Sequence, residues 1–192
     1  MLVVIALAAG GCGGGDEPPA ATLPPPDTSG ELVDLPGARR STTTLLEEVG
    51  PSRARSLLDE LRAQQTPEGV EVNLPGDVLF DFGSAALRPD AASRLDAVVG
   101  AAKAYPAAGI RLTGHTDDVG DEAANLRLSE QRARAVAAGL TARDPSLAGR
   151  IQVAGRGEAE PVAANRRPDG SDDPDGRQRN RRVAILFVGA RL

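Results

Sequence analysis

Between Val70 and Val188 the apolar residues change period several times, and this alternation constrains the fold more than any other feature of the chain. Val70, Val72 and Leu74 alternate with polar residues, the period-two pattern of a strand with one buried face. Residues 77–82 read as a second strand after a turn, or as the continuation of one bent strand. Leu95, Val98, Val99 and Ala102 recur at i, i+3, i+4 and i+7, which predicts a helix ending near Ala104. Pro89 suits its first position, Asp90 its first turn, and Tyr105-Pro106 its stop. Residues 110–113 form a short strand pattern that ends at a Gly114 turn. A second helix is predicted from about Glu122 to Arg143, burying Leu126, Ala133, Val136, Ala137 and Leu140. Residues 151–153 read as a strand, 155–179 as a loop rich in Gly, Asp, Asn and Arg, and 182–188 as a final strand. The order β-α-β-α-β-β predicts an α/β (α+β) two-layer sandwich, a mixed sheet with helices packed on one face.

The chain has 192 residues, and this pattern places the folded domain at residues 68–192, long enough to bury a core. With three Phe, one Tyr and no Trp, that core must be built from Val, Leu, Ile and Ala. Ahead of the domain, residues 44–66 are helical in pattern, with Gly50-Pro51 interrupting the apolar positions. A short helix, a break, and a second helix from Ser52 or Arg53 to about Gln64 are expected, packing on the domain or self-associating. Residues 13–43 read as a linker, because Pro18, Pro19, Pro24, Pro25, Pro26 and Pro36 favour extended polyproline-type chain. Stretched, such a tether reaches on the order of 70–80 Å.

Residues 1–12 carry their own signal. An apolar run over residues 1–9 is followed by Ala9-Gly10-Gly11-Cys12, and Cys12 is the single cysteine of the sequence. Small residues before a cysteine, after a short hydrophobic segment, resemble a bacterial lipoprotein signal with Cys12 as the lipid attachment site. The run is shorter than the roughly 20 residues of a membrane-spanning helix and suits a signal peptide. Export and lipid anchoring to a membrane in the cell envelope are therefore expected.

Composition narrows the function. A net charge of −5, with no basic stripe and few aromatics, argues against a nucleic-acid partner. One histidine and one distant cysteine form no metal-ligand cluster, and no cofactor motif is visible. His115 reads as a turn residue. No carboxylate pair or Ser-His-Asp set marks a catalytic site, so no catalytic residues and no enzymatic activity are expected.

The chemistry concentrates in residues 114–132. Asp117 lies on the turn leaving a strand, and Asn125, Ser129 and Arg132 fall at i, i+4 and i+7 on the following helix. A helical wheel puts Asn125 and Arg132 beside the apolar stripe, at the rim where helix meets sheet. A carboxylate and a guanidinium held at fixed separation suit a ligand with both an amine and a carboxylate. The plainer alternatives are that Asp117 or Asp121 caps the helix, and that Arg132 forms a structural ion pair with Asp117.

Several ordered motifs resemble one family over about residues 68–189. They are Phe80-Asp81-Phe82-Gly83-Ser84, Gly114-His115-Thr116-Asp117-x-x-Gly120, Asn125-x-x-Leu128-Ser129-x-x-Arg132-Ala133, Gly155-x-Gly157-Glu158-x-x-Pro161 and Asn180-Arg181-Arg182-Val183. Together they resemble the OmpA-like C-terminal domain, the peptidoglycan-associating module of outer-membrane protein A, the lipoprotein Pal and the stator protein MotB. The layout is most similar to Pal-type lipoproteins.

The resemblance implies non-covalent binding of peptidoglycan through the diaminopimelate of its stem peptide, gripped by Asp117 and Arg132. Thr116, Asn125 and Ser129 are implied to shape the pocket or bond the turn backbone. Of Arg181 and Arg182, one is implied to approach the peptide and the other to hold the sheet. Residues 166–179 look like a long solvated loop. The protein would tie a membrane, the outer membrane where one exists, to the cell wall. The alternatives are an envelope protein–protein interaction module on the same fold and a wall-modifying enzyme.

Overall fold

The computed structural model describes residues 51–192. The lipid attachment expected at Cys12, the 13–43 linker and the first part of the 44–66 helical segment lie outside the described residues.

Eleven elements follow in order: helix α1 (Pro51–Glu60), strands β1 (Gln64–Gln65) and β2 (Gly69–Pro75), helices α2 (Gly76–Leu79) and α3 (Ala91–Ala104), strand β3 (Ile110–Gly114), helix α4 (Glu122–Arg143), a 3-10 turn (Pro145–Arg150), strand β4 (Ile151–Gly155), helix α5 (Pro174–Asn180) and strand β5 (Arg182–Val188). The sheet is mixed and open, with strand order β1-β2-β5-β3-β4. All pairs are antiparallel except β3 with β4, which is the pair joined through α4. This is the mixed α/β architecture that the periodicity implies.

The last strand to be made becomes the central one. β5 pairs with β2 on one side and β3 on the other, so all of its residues but Val188 are buried. That explains its near-continuous apolar run. Register aligns the inward side chains in rungs. Val70, Phe187, Ile110 and Ile151 form one, and Val72, Ile185, Leu112 and Val153 the next. The third rung is Leu74, Val183, Gly114 and Gly155, whose two glycines leave the sheet without side chains under α4. Leu95, Val98, Val136 and Leu140 close over the rungs, each at 1% exposure or less. Full burial of one such side chain contributes roughly 1.5–3 kcal/mol.

Four expectations need correction. Residues 77–82 form no second strand: α2 turns the chain at once, and Phe80 makes only an isolated bridge to Leu87. The helix expected to reach Gln64 stops at Glu60, because Arg62 adopts a left-handed φ of 52°. Gln64 and Gln65 then pair with Val70 and Glu71. The long loop contains α5, started by Pro174 after Asp173, whose carboxylate accepts from the Gly176 N–H. α3 begins two residues later than its pattern suggests, with Asp90 at the N-cap and Pro89 outside.

Leu58 and Leu61 are buried in the same core as the sheet, and Leu57 packs against α3 at Gly100, where a larger residue would collide with it. The C-terminal part of the helical segment thus packs on the domain. Among the described residues no helix is long and apolar enough to cross a membrane, and no group of three His, Cys, Asp or Glu side chains is placed to hold a metal ion.

Candidate functional site

The site is built on the loop that leaves β3. Its backbone is held from both sides: the His115 N–H donates to the Arg182 carbonyl at 2.9 Å, and the Thr116 N–H to the Gly157 carbonyl at 2.9 Å. Strand β5 and the end of β4 thereby fix residues 115–117 before any side chain takes part. Gly157 serves this purpose in a left-handed conformation, φ 53°, that other residues adopt only with strain. Its N–H donates to Ser129 Oγ at 2.9 Å, and that hydroxyl donates onward to the Leu126 carbonyl at 2.8 Å. Ser129 is fully buried. The hydroxyl therefore seats α4 against the β4 loop rather than facing a ligand.

Helix α4 meets the sheet at backbone distance. A side chain on Gly114 would run into the Ser129 carbonyl, and one on Gly155 would lie 2.7 Å from both the Glu130 nitrogen and Ser129 Oγ. This close approach draws Asn125 and Arg132 inward. They do not flank the buried stripe at its rim. They lie on it, at 7% and 6% exposure, and continue the line of Ala133, Val136 and Leu140. Leu126 is instead 48% exposed. The N-terminal half of α4 thus presents a polar inner face, and the C-terminal half an apolar one.

Asp121 caps α4, accepting from the Ala124 N–H at 2.9 Å. That leaves Asp117 free for other partners. Its Oδ2 accepts from Arg181 NH1 at 2.6 Å, and its Oδ1 accepts weakly from the Val119 N–H at 3.4 Å. The side chains of Arg181 and Asp117 are 28% and 11% exposed, so this ion pair is largely shielded from water. Asn125 holds the loop by its backbone, donating to the carbonyls of Asp117 at 3.3 Å and Val119 at 3.2 Å. Its amide is oriented by Glu158, whose Oε2 accepts from Nδ2 at 2.7 Å.

Arg132 is anchored at one atom and, among the described residues, free at two. Its Nε donates to the Ser84 carbonyl at 2.9 Å, and its guanidinium lies over the Phe80 ring, 5.2 Å from the centroid. No described residue accepts from its two terminal nitrogens. Among the described residues no ion pair joins it to Asp117. Burial and, after it, the like charge of Arg181 lower its pKa, and the charge of Asp117 opposes them. A guanidinium stays protonated through any such shift. The three charged groups thus form one electrostatic unit: one carboxylate and two guanidiniums.

The paired arginines diverge. Arg181 goes to Asp117. Arg182 lies 9% exposed and donates to the carbonyls of Asn180 and Glu160 at 3.4 and 3.3 Å, tying the sheet to the preceding loop. Burial depresses its pKa, against the charges of Glu71 and Glu160. Thr116 is buried at 4% exposure, its hydroxyl unpartnered among the described residues. His115, 3% exposed, has its pKa lowered to about 4 by burial and by the charges of Arg182 and Arg156.

Three contributors escape a reading of the sequence as a site. Glu158 orients Asn125, Phe80 backs Arg132, and Asn180 pins the 162–165 loop. Asn180 accepts from the Val162 and Ala163 N–H groups at 2.9 and 3.0 Å, and donates to the Ala163 carbonyl and Asn165 Oδ1. Their signal is their place inside the Gly-x-Gly-Glu, Phe-Asp-Phe and Asn-Arg-Arg motifs.

Comparison with known proteins agrees with this architecture. A family model described as the OmpA family matches residues 79–174. Over 139 residues, 72% of this chain, the sequence is 43% identical to photosystem I P700 chlorophyll a apoprotein A2 of Gloeobacter violaceus, but covers only 16% of that protein. It is 38% identical over 132 residues to the outer-membrane lipoprotein YfiB of Pseudomonas aeruginosa, covering 68% of this chain and 74% of YfiB. It is 38% identical over 112 residues to the peptidoglycan-binding protein ArfA of Mycobacterium tuberculosis, covering 58% of this chain and 32% of ArfA. The chain thus spans much less than two thirds of the photosystem subunit and of ArfA. Among solved structures, the cell wall anchor of the T6SS from Pseudomonas aeruginosa superposes with a TM-score of 0.59 at 32% identity, covering 70% of this chain and 96% of that one.

Proposed function

This chain belongs to the OmpA family, and we propose that its domain binds peptidoglycan non-covalently, gripping the free amino-acid end of diaminopimelate between Asp117 and Arg132. The observation that carries the reading is the state of Arg132. It is buried and anchored through Nε, with both terminal nitrogens unused among the described residues, beside a carboxylate on a fixed loop. A guanidinium so held offers two parallel N–H donors to a ligand carboxylate. Asp117 accepts from the ammonium on the same ligand carbon. Thr116, on the same loop, has a buried hydroxyl without a partner among the described residues. Asn125 and Ser129 hold the loop and helix, and Arg182 the sheet.

Similarity to the peptidoglycan-binding protein ArfA and to the T6SS cell wall anchor supports wall binding, and similarity to the outer-membrane lipoprotein YfiB supports a lipoprotein. In this reading Cys12 carries the lipid, residues 13–43 form the tether, and the protein joins a membrane, the outer membrane where the host has one, to the wall without catalysing a reaction. The test is co-sedimentation with purified sacculi, together with titration by a diaminopimelate-containing stem tripeptide. Saturable binding to both is expected. Failure to sediment, combined with retention of an envelope protein partner, would overturn the reading in favour of an interaction module.

A further inference from the structure

The Asp117–Arg181 ion pair gives the site a property that neither Asp117 nor Arg132 has alone. Arg181 cannot swing away by backbone movement. It caps α5, its N–H donates to the Arg177 carbonyl at 3.0 Å, and its own carbonyl accepts from the Gly76 N–H at 2.7 Å. Two guanidiniums therefore act on the one Asp117 carboxylate in a partly water-excluded place, while the neighbouring Glu158 carboxylate is engaged by Asn125. A ligand bringing only an ammonium must share Asp117 with Arg181 and adds a third positive charge. A ligand bringing an ammonium and a carboxylate adds none.

We propose that Arg181 is a specificity-determining residue, one that excludes stem peptides ending in a bare amine and admits those ending in an amino-acid zwitterion. The inference rests on the peptidoglycan reading above and deepens it. Arg132 and Arg181 divide the discrimination. Arg132 rewards the carboxylate, and Arg181 penalises its absence by occupying Asp117. Selectivity built this way comes from a repulsive element as well as an attractive one.

The experiment is calorimetric titration of the full chain with two tripeptides that differ only in carrying diaminopimelate or lysine. Wild type is expected to prefer the diaminopimelate peptide. Arg181→Gln is expected to raise affinity for the lysine peptide by about tenfold, the scale of one partly screened charge contact, and to narrow the preference at least as much. Arg181→Met removes the same charge by a second route, and Arg181→Lys, which keeps it, is expected to retain the wild-type ratio. If lysine-peptide affinity stays level or falls in both neutral variants, the selectivity role is overturned while wall binding stands. If wild type binds neither peptide nor sacculi, the parent reading fails and takes this one with it.

Discussion

The Asp117 carboxylate is held by the Arg181 guanidinium at 2.6 Å, from a residue 64 positions further along the chain. Arg132, 15 positions away on the adjoining helix, donates instead to the Ser84 carbonyl. Two arginines near one acid thus have different tasks. Arg181 orients the carboxylate, and Arg132 keeps its terminal nitrogens unused among the described residues.

Removing either half of the clamp should abolish most binding. We expect Asp117→Ala and Arg132→Ala each to weaken binding to sacculi by on the order of 2–5 kcal/mol, because each strands an opposite charge in a desolvated place. Circular dichroism should show both variants folded. Wild-type affinity in both would mean that the ligand binds elsewhere.

The seat of α4 is testable at a residue that touches no ligand. Gly114→Ala drives a methyl group into the Ser129 carbonyl, a backbone atom with no room to yield. A loss of about 3 kcal/mol in urea unfolding is expected, with weakened wall binding as Arg132 moves. Gly149→Ala, where an added methyl meets open space, should stay within about 0.5 kcal/mol of wild type.

Stability should carry the signature of His115, whose pKa falls from 6.5 to about 4 on folding. The unfolded chain binds the extra proton first, so between those values acid favours unfolding. The full contribution is present above pH 6.5 and is lost as pH falls toward about 4, below which both states are protonated and the loss levels off. The loss is on the order of 3 kcal/mol. Thermal melts from pH 7 to 4 check this: His115→Asn should flatten that part of the profile, and an unchanged slope would refute it.

Helix α1 should be energetically part of the domain. Leu58, 3% exposed, contacts the core that the sheet builds. Leu58→Ala is expected to cost about 2–4 kcal/mol, the range for an unfilled leucine cavity. A single cooperative transition, shifted to lower denaturant, would confirm the coupling, whereas an unaltered midpoint would show α1 to be an appendage.

Legibility followed the range of the interactions. The bounds of α4 and β5 were readable because apolar period and breakers are local properties. Residues 77–82 misled because Val78, Phe80 and Phe82 alternate like a strand. Yet α2 turns the chain there, burying Phe80 and leaving Phe82 95% exposed. Arg62 gave no warning of its left-handed turn, since no glycine marks it. The burial of Asn125 and Arg132 was hidden by the sheet glycines. Wheel position alone sets polar residues at a rim, but Gly114 and Gly155 let the helix sink until they lie inside.

By itself the sequence determined the kind and order of the principal elements and the residue types at the site, because side-chain period and motif spacing act over a few turns of chain. Tertiary structure decided which charge meets which. β5 inserts between β2 and β3, and that insertion carries Arg181 to Asp117, leaving Arg132 with its terminal nitrogens unclaimed by any described residue. A pairing across that many residues is set by sheet order and register, which no local pattern encodes.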